Sequence, residues 1–339
     1  MNRLSTKEFL EKSENITVVD VRTPKEFEEG HIPGAINIPI FTNEERVIIG
    51  TLYKNSGKEA AVMRGLKIVG PKMYDFVAEA KKHINLKKKE ILIHCWRGGM
   101  RSGSMAWLFE TSGLKVDILE GGYKAYRAYI RQDFSTPKKL IILGGYTGSG
   151  KTELLHQMQE KGEQVLDLEG LANHKGSVYG GLGQDPQPTN EQYENNMWKV
   201  WNSFDSSKNI WLEDESRSVG SVGINAPLYT QMLNSPVFFI NIPIDIRVKR
   251  LVNEYACFSK DDLLELSERI TRKLGGNNLK EVKEALDESR FDAVAKITLR
   301  YYDKAYEKGL SKKKTVHRFE FNSFDYMIVD KLLSFSETI

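Results

Sequence analysis

The stretch Leu140-Ile141-Ile142-Leu143-Gly144-Gly145-Tyr146-Thr147-Gly148-Ser149-Gly150-Lys151-Thr152 decides the fold. Four apolar residues before a glycine pair suit a strand buried on both faces. The run 145–152 fits G-x-x-x-x-G-K-[ST] and is followed by a helix-length segment at 153–159. In that order the glycines let backbone N–H groups wrap a phosphate, and the helix N-terminus adds partial positive charge. Gly145, Thr147, Gly148, Ser149, Gly150 and Lys151 form the candidate cradle, with Lys151 reaching the outer phosphates. The Thr152 hydroxyl is placed to hold a magnesium ion, should one accompany the ligand.

Outward from this point, short apolar runs recur at 16–21, 90–94, 116–119, 164–168, 210–212 and 237–240, separated by helix-length segments. That rhythm predicts an α/β chain with parallel sheets covered by helices. The chain has 339 residues, roughly two domains' worth. Ser135-Thr136-Pro137-Lys138-Lys139 breaks the pattern, so the expected domains are 1–135 and 136–339. Residues 259–309 read as mostly helical, and a last strand at 316–321 precedes a final helix.

Composition removes several classes. Lys and Arg number 49 against 46 Asp and Glu, a net charge of +3, with 28% charged and 40% hydrophobic residues, as in ordinary globular proteins. No apolar run approaches the ~18 residues of a membrane span, and the N-terminus meets charge before any signal-like stretch, so a cytoplasmic protein without membrane contact is expected. The two cysteines, Cys95 and Cys257, exclude a disulfide framework or a four-cysteine zinc site; no metal site of the protein's own is expected.

Cys95 stands where the strand 90–94 ends, in Cys95-Trp96-Arg97-Gly98-Gly99-Met100-Arg101-Ser102. Ligands of open α/β sheets bind at such strand ends, and the glycines allow an anion-binding nest of N–H groups. Arg97 and Arg101 add charge that favours a thiolate nucleophile. In the second half, Ile210-Trp211-Leu212-Glu213-Asp214-Glu215 is an apolar strand ending in carboxylates, from which Glu213 or Asp214 faces the phosphate loop. Arg217 is a candidate for phosphate charge. The glycine-rich stretch 167–184, with His174 and Lys175, is expected beside the same rim.

Val18-Val19-Asp20-Val21-Arg22-Thr23-Pro24 and Gly30-His31-Ile32-Pro33-Gly34-Ala35, taken with the Cys95 loop, resemble the rhodanese (sulfurtransferase) domain over roughly 1–135. Asp20, Arg22 and His31 are read as structural braces. Five residues separate Cys95 from Arg101, one more than in the common sulfur-handling loop of that family and equal to the spacing of the related phosphatases. The longer loop suits a larger tetrahedral anion. The fold class is thus an N-terminal rhodanese-like α/β domain plus a C-terminal P-loop NTPase-like α/β domain with extra helices.

The pairing of the two halves, with Asp167-Leu168-Glu169-Gly170-Leu171-Ala172-Asn173-His174, Glu213-Asp214-Glu215-Ser216-Arg217 and the segment beginning Glu44-Glu45-Arg46-Val47, resembles the tRNA 2-selenouridine synthases over nearly the whole chain. The resemblance implies geranylation of a wobble 2-thiouridine from geranyl diphosphate, then replacement of the geranylthio group by selenium from selenophosphate. It implies that Cys95 takes selenium from selenophosphate, leaving phosphate with Arg97 and Arg101, and carries it as a perselenide. It also implies tRNA as partner, and a selenophosphate-producing enzyme as a candidate partner. Placing geranyl diphosphate rather than ATP on the P-loop is an inference from chemistry, since the motif itself selects neither.

For tRNA, Lys296, Arg300, Lys304 and Lys308 recur every four residues in a helical stretch, interleaved with Tyr301, Tyr302 and Tyr306. Lys124, Arg127 and Arg131, with Tyr123, Tyr126 and Tyr129, repeat the pattern; a solvated helix face with inward tyrosines is the competing reading. Two rival functions remain. A Cys-x5-Arg phosphatase fused to a P-loop nucleotide kinase or NTPase accounts for both loops but not the basic stripes. A regulatory module would require both sites to have lost their chemistry, against the intact Cys95 and Lys151.

Overall fold

Apolar runs too short for helices and bounded by turn residues become parallel strands, buried on both faces, in each half of the chain. The computed structural model describes residues 1–85, 87–325 and 327–338. The chain divides into two units, Met1–Asp133 and Phe134–Ile339.

In the first unit, β1 (Asn2–Leu4), β2 (Val18–Asp20), β3 (Ile36–Asn37), β4 (Glu90–His94) and β5 (Lys115–Leu119) form a sheet of order β1-β5-β4-β2-β3. Every pairing is parallel. The central β4 carries Ile91, Leu92 and Ile93, all at most 1% exposed. Its register with β2 sets Asp20 opposite His94, one residue before Cys95. The 27-residue helix Asn43–Val69 opens on a Thr42/Glu45 capping box and breaks at Gly57.

The second unit holds β6 (Lys139–Gly145), β7 (Gln164–Leu166), β8 (Asn209–Glu213), β11 (Val237–Asn241) and β12 (Val316–Glu320), in the order β12-β11-β6-β8-β7. These pairings are also parallel, and a small antiparallel pair, β9 (Ser218–Val219) and β10 (Val222–Gly223), follows β8 in sequence. Central β6 runs into the phosphate loop and the helix Lys151–Glu160. The helices Lys260–Arg269, Gly276–Asp287 and Phe291–Leu310 contribute Leu263, Val282, Leu286 and Val294 to a separate apolar cluster. Among the described residues no helix is long and apolar enough to cross a membrane.

Candidate functional site

The cysteine loop is built by turning its carbonyls away. The Cys95 and Trp96 carbonyls accept from the N–H groups of Tyr123 (2.9 Å) and Lys124 (3.0 Å), at the start of the helix Gly122–Asp133. The Gly98 carbonyl accepts from the Arg3 guanidinium at 2.9 Å. The two backbones approach so closely that a Cβ on Gly122 (φ +64°) would collide with the Cys95 carbonyl and the Gly98 nitrogen. The N–H groups of residues 97–101 make no hydrogen bond among the described residues, which leaves a nest of donors for an anion. Cys95 itself is 3% exposed, with Sγ 3.2 Å from Ser102 Oγ on the first turn of the following helix Met100–Thr111.

Beneath the loop lies a buried ion pair. The Arg22 guanidinium donates to the Asp20 carboxylate at 2.6–3.1 Å and to the Gly30 carbonyl at 2.6 Å, and it lies 3.8 Å from the Tyr123 ring centroid. Burial would raise the Asp20 carboxyl, but His94 and Arg22 outweigh it and hold it below the usual range. Burial also pushes His94 down, against the pull of Asp20. Asp20 and Arg22 therefore have the bracing geometry read from the sequence, while His31 bonds the Phe27 carbonyl at 2.9 Å and stacks on its ring.

Arg101 interacts electrostatically with the Cys95 thiol, as expected, and has in addition a carboxylate partner. Its guanidinium is held at 2.6 and 3.1 Å by both oxygens of Glu26, the third residue of the helix Pro24–Glu29. Burial opposes both charges, but the pairing prevails, raising Arg101 and lowering Glu26. Arg97 is the exposed cation of the loop. The Thr23-x-x-Glu26 capping box is visible in the sequence; the partner 75 residues away is not.

The phosphate loop borders a cleft of about 960 Å³, lined among others by Gly145, Thr147, Gly148, Gly150, Lys151 and Thr152. Three expected ligands of this loop are otherwise engaged. The Gly145 N–H donates to the Tyr306 hydroxyl at 3.1 Å. That hydroxyl in turn donates to Asp214 at 2.7 Å, and Lys313 holds the other Asp214 oxygen at 2.7 Å. Burial and the neighbouring Asp214 push Tyr306 well up, so it stays protonated as this donor. Asp214 thus fastens the helix Phe291–Leu310 to the loop. Ser149 is fully buried and its N–H donates to the Tyr146 carbonyl at 3.1 Å; it is absent from the cleft lining. Lys151 Nζ donates to the Gly145 carbonyl at 3.1 Å.

Arg217 is exposed and is not among the residues lining the cleft, although its neighbour Ser216 is. Glu213 is fully buried and accepts from the Leu168 N–H at 3.0 Å; burial, with Asp167 and Glu169 nearby, pushes its carboxyl far up. Asp214 lines the cleft, as the sequence suggests, and so do two carboxylates not singled out by sequence, Glu169 and Glu215. Thr152 Oγ1 donates to Glu169 at 2.8 Å. Glu215 is pushed up to about 8 by burial and by Glu169, against the pull of Lys151. Lys175 and Ser177 of the glycine-rich stretch also line the cleft, Lys175 paired with Glu254 at 2.5 Å. Among the described residues no three or more His, Cys, Asp or Glu side chains are grouped to hold a metal. Thr152 and Glu169 fit a magnesium ion only as the companion of a phosphate ligand.

Lys296, Arg300, Lys304 and Lys308 are all exposed along the helix Phe291–Leu310. Lys296 is 3.5 Å from Asp292. The interleaved tyrosines turn inward, Tyr302 accepting from the Val178 N–H at 2.9 Å and Tyr306 reaching Asp214. The second stripe does not survive: Arg127 is 5% exposed and Tyr123 and Tyr126 are fully buried, leaving only Lys124 and Arg131 exposed. A three-residue polar and aromatic alternation cannot reveal which side of a helix faces its sheet. Cys257 is exposed, its thiol 3.5 Å from the Glu254 carbonyl.

Fold and loops define a class, a rhodanese-like domain joined to a P-loop-like domain, with a glycine-containing loop at the end of each central strand. The Rhodanese-like domain family matches residues 5–129, and the tRNA 2-selenouridine synthase AAA domain matches residues 138–330. A tRNA 2-selenouridine synthase from Bdellovibrio bacteriovorus is 34% identical, over 92% of this chain and 93% of its own. One from Nitrosomonas europaea is 30% identical, over 88% and 90%. A solved rhodanese-related protein from Thermoplasma volcanium is 20% identical, covering 38% of this chain and 93% of its own, with a TM-score of 0.25. The chain belongs to the tRNA 2-selenouridine synthase family.

Proposed function

We propose that this protein converts 2-thiouridine at the tRNA wobble position to 2-selenouridine in two steps, geranylation at the P-loop and selenium exchange at the Cys95 loop. In the first step the 2-thio sulfur attacks C1 of geranyl diphosphate. The C1–O bond breaks, diphosphate leaves with the electron pair, and the N3 proton is lost. Lys151 and the free N–H groups of the P-loop stabilise the charge developing on the diphosphate. A magnesium ion bound with it at Thr152 and Glu169 would share that charge. S-Geranylation turns C2 into an electrophile with a good leaving group.

In the second step the selenium of selenophosphate attacks C2 and geranylthiol departs, taking a proton. The product still carries phosphorus on selenium. Selenium in selenophosphate is already at the selenide level, so forming a perselenide on Cys95 with release of phosphate would leave an electron pair unaccounted for. The balanced role for the Cys95 thiolate is attack at phosphorus. The P–Se bond breaks with its pair on selenium, which becomes the C2 selenium as N3 regains a proton. Water then hydrolyses the S–P bond, returning Cys95 and releasing phosphate. The N–H nest of residues 97–101 suits the tetrahedral phosphoryl group of this step, and Arg97 adds an exposed charge. Exposed Arg300, Lys304 and Lys308 supply cations for tRNA phosphates.

The observation carrying this reading is the Cys95 nest itself, with carbonyls tied back and donors left unpaired beside the sulfur. Cys95→Ala should abolish selenium incorporation while leaving geranylation of 2-thiouridine tRNA within about threefold of wild type. Quenched single turnovers should trap a phosphoryl group on Cys95, detected by peptide mass spectrometry. Selenation by Cys95→Ala, or cleavage of generic phosphoesters without selenation by wild type, would overturn the reading in favour of a phosphatase.

A further inference from the structure

The P-loop cleft continues into a second, apolar hole. Thr147, Ser177, Leu251, Tyr255 and Tyr302 line both spaces. Beyond them the hole, about 40 Å³, is walled by Leu263, Phe291, Val294, Ala295 and Leu299. Beyond this shared rim the two polar side chains of its wall are engaged within the protein, the Tyr179 hydroxyl with Ser267 at 2.8 Å. Thr298 Oγ1 donates to the Val294 and Ala295 carbonyls of its own helix at 3.0 and 3.1 Å. The Tyr302 hydroxyl accepts from Val178, and the Tyr255 hydroxyl is bonded to Ser177. Among the described residues the wall beyond the rim therefore leaves no polar side chain for the edge of a nucleobase, and burying that edge unpaired would be unfavourable.

Size points the same way. At roughly 10–15 Å³ per water, 40 Å³ corresponds to about three waters, close to the bulk of one branched five-carbon unit and too small for a purine. We infer that this hole receives the hydrocarbon end of the P-loop ligand, and that its depth sets the chain length of the diphosphate ester the protein accepts. The inference rests on the proposed reading of the P-loop as a diphosphate site, and it adds the feature that selects a short isoprenoid ester over a nucleotide. With the diphosphate at Lys151, the last isoprene unit of a ten-carbon chain occupies the hole and the first lies in the cleft. A fifteen-carbon chain overfills it.

The full-length protein should be assayed with a 2-thiouridine anticodon stem-loop and dimethylallyl, geranyl and farnesyl diphosphates. Ala295→Leu, which fills the hole, should lower kcat/KM for geranyl diphosphate by about tenfold or more, in line with the cost of one or two methylenes in an apolar pocket. Its kcat/KM for dimethylallyl diphosphate should change less than about threefold. Leu263→Ala, which deepens the hole, should raise farnesyl transfer relative to geranyl. Because one variant adds and the other removes volume, a shared folding defect cannot produce these opposite shifts. Transfer by both variants with the wild-type chain-length profile overturns this inference alone. No transfer by wild type from any of the three esters, together with saturable ATP binding lost in Lys151→Ala, overturns the diphosphate reading and this inference with it.

Discussion

The two loops follow central strands of similar parallel sheets and both are held by buried ion pairs, but only one of them also gathers carboxyls pushed toward the protonated form. Under the Cys95 loop lie opposed full charges, the buried Asp20–Arg22 pair and the Glu26–Arg101 fork. Around the P-loop the ion pairs Asp214–Lys313 and Asp303–Arg247 stand beside two carboxyls that burial and neighbouring acids push up, Glu213 by Asp167 and Glu169, and Glu215 by Glu169 and Asp214. The first arrangement fixes the loop with opposed full charges that stay ionised at neutral pH. The second adds groups whose protonation changes with pH. The contrast teaches that loops at equivalent strand ends can respond to pH with opposite sign.

The sharpest way to break the contrast is at Asp20. Asp20→Asn strands the Arg22 charge in a fully buried site and should cost about 3–5 kcal/mol in urea denaturation. Because the folded carboxyl sits below its ordinary value of 3.8, its contribution is present above that pH and is lost as pH falls further. A stability loss under about 1 kcal/mol would mean that the ion pair does not hold the first unit together.

The opposite sign is expected at the P-loop, with a smaller effect. Glu215 is raised from 4.5 to about 8, so its contribution is fully present below pH 4.5 and is lost as pH rises toward and through 8. Glu215→Gln should therefore become more stable relative to wild type as pH rises across this window. Each 1 kcal/mol appears as about 2–4 °C in Tm. A Tm difference independent of pH from 5 to 9 would show that Glu215 titrates as an ordinary carboxylate.

Much of the architecture is legible in the sequence because it is encoded locally. Apolar runs such as 140–143 and 90–93 become the buried strands β6 and β4, and both loops carry their spacing in consecutive residues. Asn2–Leu4 escapes notice because a three-residue polar edge strand has no periodicity to read. At the sites, what escapes is long-range pairing. The charge of Arg101 beside the cysteine loop is legible, but its Glu26 partner is not, and Asp214 facing the phosphate loop is legible, but Tyr306 and Lys313, which arrive from about a hundred residues away, are not. At Ser149 and Arg127 what escapes is burial, which a polar residue type does not disclose.

The central claim is the division of labour between the loops, and Lys151→Ala tests it most directly. This variant should fail to selenate 2-thiouridine tRNA, because it cannot geranylate it. Given tRNA already S-geranylated, with selenophosphate, it should form 2-selenouridine at a rate within about threefold of wild type. Equal failure on both substrates, in a variant whose circular dichroism and Tm match wild type, would contradict the division and place Lys151 in the selenium step as well.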